Sequence, residues 1–293
     1  MSSERKRAML GYAVLSPALI MLLILMIFPT VKALYDSFTD YGLFNPLPNF
    51  IGFENYLIIF QDSEFWAAFL RGIWLVVLAV GIQYVSGLSL ALLLNENLKG
   101  MKWVKFIIMI PWVIPVVATV VMFDWMAASD YGLINMILNK IGLGETARYW
   151  FGDTQWAFIM IVIMHVWRNM PFYAITLYAG LKNIPRVLYE AAKIDGAGSW
   201  KRFVHITMPQ LKVPSMIVII LHVLWTFNNF DMVYLSTGGG PVGTTEVIAT
   251  KVYQTAWTFY EYGQASSMGI IMLLFMMAFS IIYIRIVNNG DKV

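Results

Sequence analysis

The chain has no cysteine, which excludes disulfides, thiolate metal sites and thiol catalysis and leaves the compartment to be read from topology. Charge is scarce as well, at 13% of 293 residues. The three histidines, His165, His205 and His222, have no spacing that demands a metal, and neither HExxH nor a nucleophile motif is present. GxxxxGK(S/T) is missing, so nucleotide binding and phosphoryl transfer would belong to another polypeptide. The basic residues never form a dense patch interleaved with aromatics, so no nucleic acid is expected as a partner. No tandem repeat and no inverted repeat stands out, which weakens a secondary carrier.

What remains is apolar: 59% of residues are hydrophobic and mean hydropathy is +0.69. Such a chain belongs in a lipid bilayer, where a helix of roughly 20 apolar residues satisfies its own backbone. Residues 8–29, 72–94 and 263–284 carry no formal charge, 106–123 is a further apolar block, 154–181 is interrupted only by Arg168, and 213–230 contains only His222. The expectation is one all-α membrane domain, 1–293, with six spans at about 8–33, 67–94, 104–126, 154–181, 212–234 and 263–286. The first span follows a basic segment but is longer than a signal-peptide core of roughly 7–15 residues, so it reads as an anchor.

Lys and Arg stay on the cytoplasmic side of a membrane. With both termini inside, the cytoplasmic segments hold Arg5, Lys6, Arg7, Lys99, Lys102, Lys105, Lys182, Arg186, Lys193, Lys201, Arg202, Lys212, Arg285 and Lys292, whereas the outside keeps Lys32, Lys140, Arg148 and Lys251. Outside loops then cover 32–66, 127–153 and 235–262. Asp36, Asp40, Glu64 and Asp153 form a solvated rim there, or a dock for an external protein. The Gly238-Gly239-Gly240-Pro241 turn is no phosphate cradle, because Gly243 is followed by Thr244 and Thr245; it reads as an external gate or dock.

The inside loop 182–212 is longer and looks structured. Asn183 is expected to cap a helix with Pro185 in its first turn, with Leu188, Ala191 and Ala192 on one face and a stop near Gly196. Ser199 then caps a second helix, with Trp200, Phe203, Val204 and Thr207 on one side, until Pro209 breaks it. Lys193, Lys201 and Arg202 suit an amphipathic pair resting on lipid headgroups; the small Ala191, Ala192 and Ala197 suit close approach by another protein.

Polar residues inside spans are costly and tend to face a cavity or a partner. His165, Arg168, Asn169 and Phe172 fall at i, i+3, i+4, i+7 on one helical stripe, with Pro171 available to open the helix; His222, Trp225, Thr226 and Asn229 repeat the spacing. Aromatic faces beside Asn, His and Arg suit a carbohydrate. Arg168 adds a charge that suits a sulfonate, phosphate or carboxylate, unless it pairs with Asp231, Asp124 or a partner chain. An ion-coupled carrier, with Arg168, Asp124, Asp231 and the histidines as a relay, is the alternative class.

Glu190-Ala191-Ala192, then Asp195-Gly196-Ala197, Phe203 and Pro209, resemble the EAA loop of binding-protein-dependent ABC importer permeases. The stretch from Tyr234 to Pro241 and Tyr262-Gly263-Gln264-Ala265 extend the likeness, which resembles the carbohydrate branch containing the maltose and glycerol-phosphate permeases. The resemblance implies a six-helix type I (MetI-like) permease in a bacterial inner membrane, without catalysis of its own. It further implies a second homologous permease subunit, two copies of a cytosolic ABC ATPase that carry ATP and Mg, an external sugar-binding protein and a small sugar as cargo. The EAA loop would be the coupling helix that fits a cleft on the ATPase. Around Pro171 and Phe227-Asn228-Asn229-Phe230, the resemblance implies that the two stripes contact the sugar.

Overall fold

A computed structural model describes residues 3–96 and 99–289, with side chains described from Tyr12 to Val287 in those ranges. The side chains of Arg5, Lys6 and Arg7, and the whole of Lys292, lie outside the described residues. The architecture is all-α. Helix α1 (Ser3–Leu22) runs through a π turn, Leu23–Ile27, into Phe28–Asp36. It is followed by α2 (Glu54–Gln61), α3 (Ser63–Asn95), α4 (Met101–Val113), α5 (Val116–Ala127), α6 (Leu133–Lys140) and α7 (Ala157–Lys182). Then come α8 (Arg186–Ile194), α9 (Ser199–Gln210, containing a second π turn), α10 (Lys212–Phe227), α11 (Asp231–Thr237), α12 (Ile248–Trp257) and α13 (Tyr262–Asn289).

Among the described residues four helices are long and apolar enough to cross a membrane, and the number rises to six if α4 with α5, and α9 with α10, are each taken as one bent span. The α4–α5 bend is 93°. Its cause is local: Pro115 disfavours the helical region at Ile114, which is extended at φ −63° and ψ 131°, and Pro115 itself has no N–H to continue the ladder. The region expected to hold a span, 104–126, is therefore two helices that meet at a sharp bend.

The chain divides into two compact units. In the first, Met1–Phe65 with Val252–Met277, a polar knot organises residues 36–56. Asn55 Nδ2 donates to the carbonyl oxygens of Ser37, at 3.0 Å, and Thr39, at 2.8 Å, while Ser267 Oγ donates to the Ser37 oxygen at 2.9 Å. Asp36, expected on a solvated rim, is instead buried and paired with Lys32, while Asp40 accepts from the backbone and side-chain nitrogens of Asn49.

The second unit is Trp66–Lys251 with Ala278–Val293. Its centre is α7, against which Leu75, Phe123, Met160, Met164 and Met232 form one buried cluster and Leu88, Tyr173, Leu177 and Leu211 another. Gly87 lets α3 approach α7 closely, since a Cβ there would lie 2.4 Å from Tyr173 Cβ and 3.2 Å from the Ala174 nitrogen. Helix α7 runs through Pro171 without a break, so the local opening for which that proline is available is not seen.

Candidate functional site

The first polar stripe lies on α7; of the second, His222, Trp225 and Thr226 lie on α10 while Asn229 falls just past its end at Phe227, so the helical spacing expected for it is not kept, and aromatic side chains of the two stripes meet. Phe172 and His222 have ring centroids 5.3 Å apart, His222 and Trp225 5.2 Å, and Phe172 and Trp225 6.0 Å. Tyr173 closes the group at 4.5 Å from His222, and Trp112 of α4 lies 5.6 Å from Phe172. Trp225 remains 51% exposed, whereas His222 and Thr226 are buried. On the other stripe, Asn169 Nδ2 is 3.2 Å from His165 Nδ1 and donates to the His165 carbonyl oxygen at 2.9 Å.

Arg168 donates from Nη2 to the Ile114 carbonyl oxygen at 3.2 Å, reaching the break between α4 and α5. Asp124, one of its expected partners, instead accepts the Tyr149 hydroxyl at 2.8 Å. Several buried polar atoms around the stripes have no hydrogen-bond partner among the described residues: Arg168 Nε, Tyr173 Oη, His222 Nε2, Thr226 Oγ1 and Asn229 Oδ1. Unsatisfied polar groups in a low-dielectric interior each cost about 1–3 kcal/mol, so their concentration at or beside the stripe positions needs an explanation beyond packing. Gln83, Tyr173 and Trp112 contact stripe residues, at His165, His222 and Phe172, although sequence reasoning did not single them out. Gln83 carried one signal, a side-chain amide within the charge-free run 72–94.

The segment joining the two stripe helices is the 182–212 loop. Its first helix is capped by Pro185 and not by Asn183, which instead ends α7; no side-chain cap bond is made. Likewise Gly198, not Ser199, stands at the cap of α9. Gly196 has φ +75°, and it closes α8 with paired bonds, Gly196 N–H to the Lys193 oxygen at 3.1 Å and Ala197 N–H to the Ala192 oxygen at 2.8 Å. This is a Schellman stop, which explains glycine after Asp195. Pro209 does not terminate α9: the π turn Phe203–Thr207 before it widens the ladder and accommodates the ring, and the break falls at Leu211 before a 63° bend.

Tyr189 and Thr207 tie α8 to α9 at 2.9 Å, and Trp200 stacks on Phe203 at 5.6 Å. The outer face is apolar: Ile194 is 86% and Trp200 74% exposed. Glu190, Ala191 and Asp195 are exposed beside it, with Ala192 and Ala197 half-buried.

After α11 the glycine turn is stiff. Thr237 and Thr245 hydroxyls lie 2.6 Å apart, Thr245 Oγ1 donates to the Gly240 oxygen at 2.6 Å, and Thr244 Oγ1 to the Pro241 oxygen at 2.8 Å. Val242 is held at φ +49° with its side chain fully presented, a strained conformation for a β-branched residue. In the 127–153 loop, Asp153 accepts from the Gln155 and Trp156 backbones and from Arg148, which hold its carboxyl below the ordinary range; burial and the bond to Asp124 push Tyr149 up to about 12.

Residues 83–292 match the family described as binding-protein-dependent transport system inner membrane component. The chain belongs to that family. It is 34% identical over 285 residues to the sulfoquinovosyl glycerol transport system permease protein SmoG of Agrobacterium fabrum, covering 97% of this chain and 92% of the relative. It is 35% identical over 284 residues to the trehalose/maltose transport system permease protein MalF of Thermococcus litoralis, covering 96% and 94%. Among solved structures, a bacterial ABC transporter involved in import of the acidic polysaccharide alginate aligns with TM-score 0.86 at 23% identity over 98% of this chain and 97% of the other, a likeness of fold. This family member is thus a multi-pass, non-catalytic permease of an ABC-type importer, consistent with the inner membrane, and works with a separate ATPase. The ion-coupled carrier is set aside.

Proposed function

We propose that this permease carries a sugar or sugar derivative inward by alternating access, through a cavity it shares with a second, homologous permease subunit. Cargo is delivered by an external sugar-binding protein, and two copies of a cytosolic ABC ATPase bind ATP and Mg and drive the cycle. His165, Arg168, Asn169, Phe172, His222, Trp225, Thr226 and Asn229 hold the sugar. The meeting of Phe172, His222 and Trp225 beside unpartnered buried polar atoms carries this reading, because rings take the apolar face of a sugar while polar atoms take its hydroxyls.

Two relatives are named for sugars, one of them for the anionic sulfoquinovosyl glycerol, which supports an anionic sugar or glycoside read by Arg168. The 182–212 segment is the cytoplasmic coupling element: Glu190, Ala191, Ala192, Asp195, Gly196, Ala197, Phe203 and Pro209 shape the surface that enters the ATPase. The apolar exposure of Ile194 and Trp200 supports a protein partner there. Both termini are cytoplasmic, in keeping with the charge sorting. The Gly238-Gly239-Gly240-Pro241 turn acts outside as a gate or as a dock for the binding protein, and its rigidity supports either task.

Uptake by the complete transporter in proteoliposomes, using trehalose as a neutral probe and sulfoquinovosyl glycerol as an anionic one, tests the cargo class. Under the anionic reading Arg168→Gln loses uptake of the anionic probe; undiminished uptake counts against charge recognition.

A further inference from the structure

We infer that Gln83 sets the tautomer of His165 and so makes that ring a hydrogen-bond donor toward the cargo; the inference rests on the cargo site proposed above. Gln83, on α3, is fully buried. Its Nε2 lies 3.0 Å from the His165 carbonyl oxygen and 3.0 Å from His165 Nδ1. A carbonyl oxygen only accepts, so the Gln83 atom facing it is the NH2 group and not the amide oxygen. That nitrogen can only donate to Nδ1, which therefore carries no proton.

Asn169 imposes the same condition from within α7, with Nδ2 2.9 Å from the same carbonyl and 3.2 Å from the same Nδ1. Two amide donors converge on one ring nitrogen, and a neutral imidazole so held keeps its proton on Nε2. Among the described residues nothing hydrogen-bonds His165 Nε2. Arg168, one turn further along, has an unpartnered buried Nε that also only donates. The α7 side of the site is thus built of donors, and the ligand group opposite it is an acceptor: a ring, glycosidic or hydroxyl oxygen, or an acid oxygen.

A buried amide between two membrane helices often serves only to tie them together. Here Gln83 Oε1 has no partner, so the amide is poorly satisfied as a plain tie, while both its N–H bonds are spent on His165. Gln83→Glu separates the two roles. A side chain of the same length preserves a bond between α3 and α7 by accepting from Nδ1–H, but it reverses the tautomer and leaves Nε2 an acceptor.

The test uses the assembled transporter with ring-15N histidine, His165 being assigned by the loss of its signals in His165→Gln. The wild type is expected to show a pyridine-like Nδ1 and a pyrrole-like Nε2, with the pattern reversed in Gln83→Glu. In the same variant KM rises about tenfold for the carried probe, trehalose or sulfoquinovosyl glycerol, at an unchanged amount of complex. A protonated Nδ1 in the wild type, an unchanged pattern in Gln83→Glu, or a wild-type KM in that variant overturns the inference. Unmoved KM in both Phe172→Ala and His165→Phe overturns the cargo site itself, and the inference about cargo falls with it.

Discussion

Phe172 and His222 stand with ring centroids 5.3 Å apart, the first on the helix that enters the 182–212 segment and the second on the helix that leaves it. A push on that segment is applied to the two helices whose rings meet in the proposed site. Rotation of either helix changes the separation of these rings, so the geometry offers a mechanical path between the proposed ATPase-facing surface and the proposed cargo site.

Truncating the rings tests the site itself. Phe172→Ala and Trp225→Ala are expected to raise KM for sugar uptake on the order of 2- to 10-fold each, the worth of a well-placed aromatic contact, while the complex still assembles. Uptake kinetics in proteoliposomes, with complex quantified by gel filtration, check this.

The coupling segment should fail differently. Gly196→Pro removes an N–H that bonds the Lys193 oxygen and imposes a negative φ where +75° is found, and Glu190→Ala removes an exposed carboxylate from the same surface. Both variants are expected to insert into the membrane normally but to lose ATPase co-purification or sugar-stimulated ATP hydrolysis. Normal values for both in each variant contradict the coupling role.

Gly87 has no room for a side chain against Tyr173. Gly87→Ala is expected to lower thermal stability of the complex by about 1–3 kcal/mol through overpacking at the α3–α7 contact, and Gly81→Ala, which meets nothing within 4 Å, is the control. Fluorescence-detected thermal unfolding distinguishes them.

Asp153 gives a pH signature outside the membrane. Backbone N–H of Gln155 is the largest cause of its lowered value, followed on the stabilising side by Arg148. A depressed folded value means that the contribution is complete above the ordinary value of 3.8 and is lost as pH falls through the folded one. The stability difference between wild type and Asp153→Asn should therefore be constant near neutrality and shrink only below about pH 4.

Much of this was legible in the sequence, and the misses share a cause. Charge-free runs mark where the apolar helices lie, since length and hydropathy are local properties. Which proline breaks a helix is not local: Pro111 sits inside α4 and Pro171 inside α7, while Pro115 separates α4 from α5. The stripes were visible as spacing, but their meeting depends on how α7 packs on α10. Gln83 was invisible as a partner of His165 because 82 positions separate them. The 182–212 loop was readable as two short helices about Gly196, whereas its caps were misassigned because Pro185 and Gly198 supply backbone geometry without a side-chain bond.

The most direct test is a structure of the assembled transporter trapped with its sugar. The sugar ring is predicted against Phe172 and Trp225, with hydroxyl or acid oxygens within hydrogen-bonding distance of His165 Nε2, Arg168 or Asn229. Sugar density against other helices, with none in contact with these residues, contradicts the account.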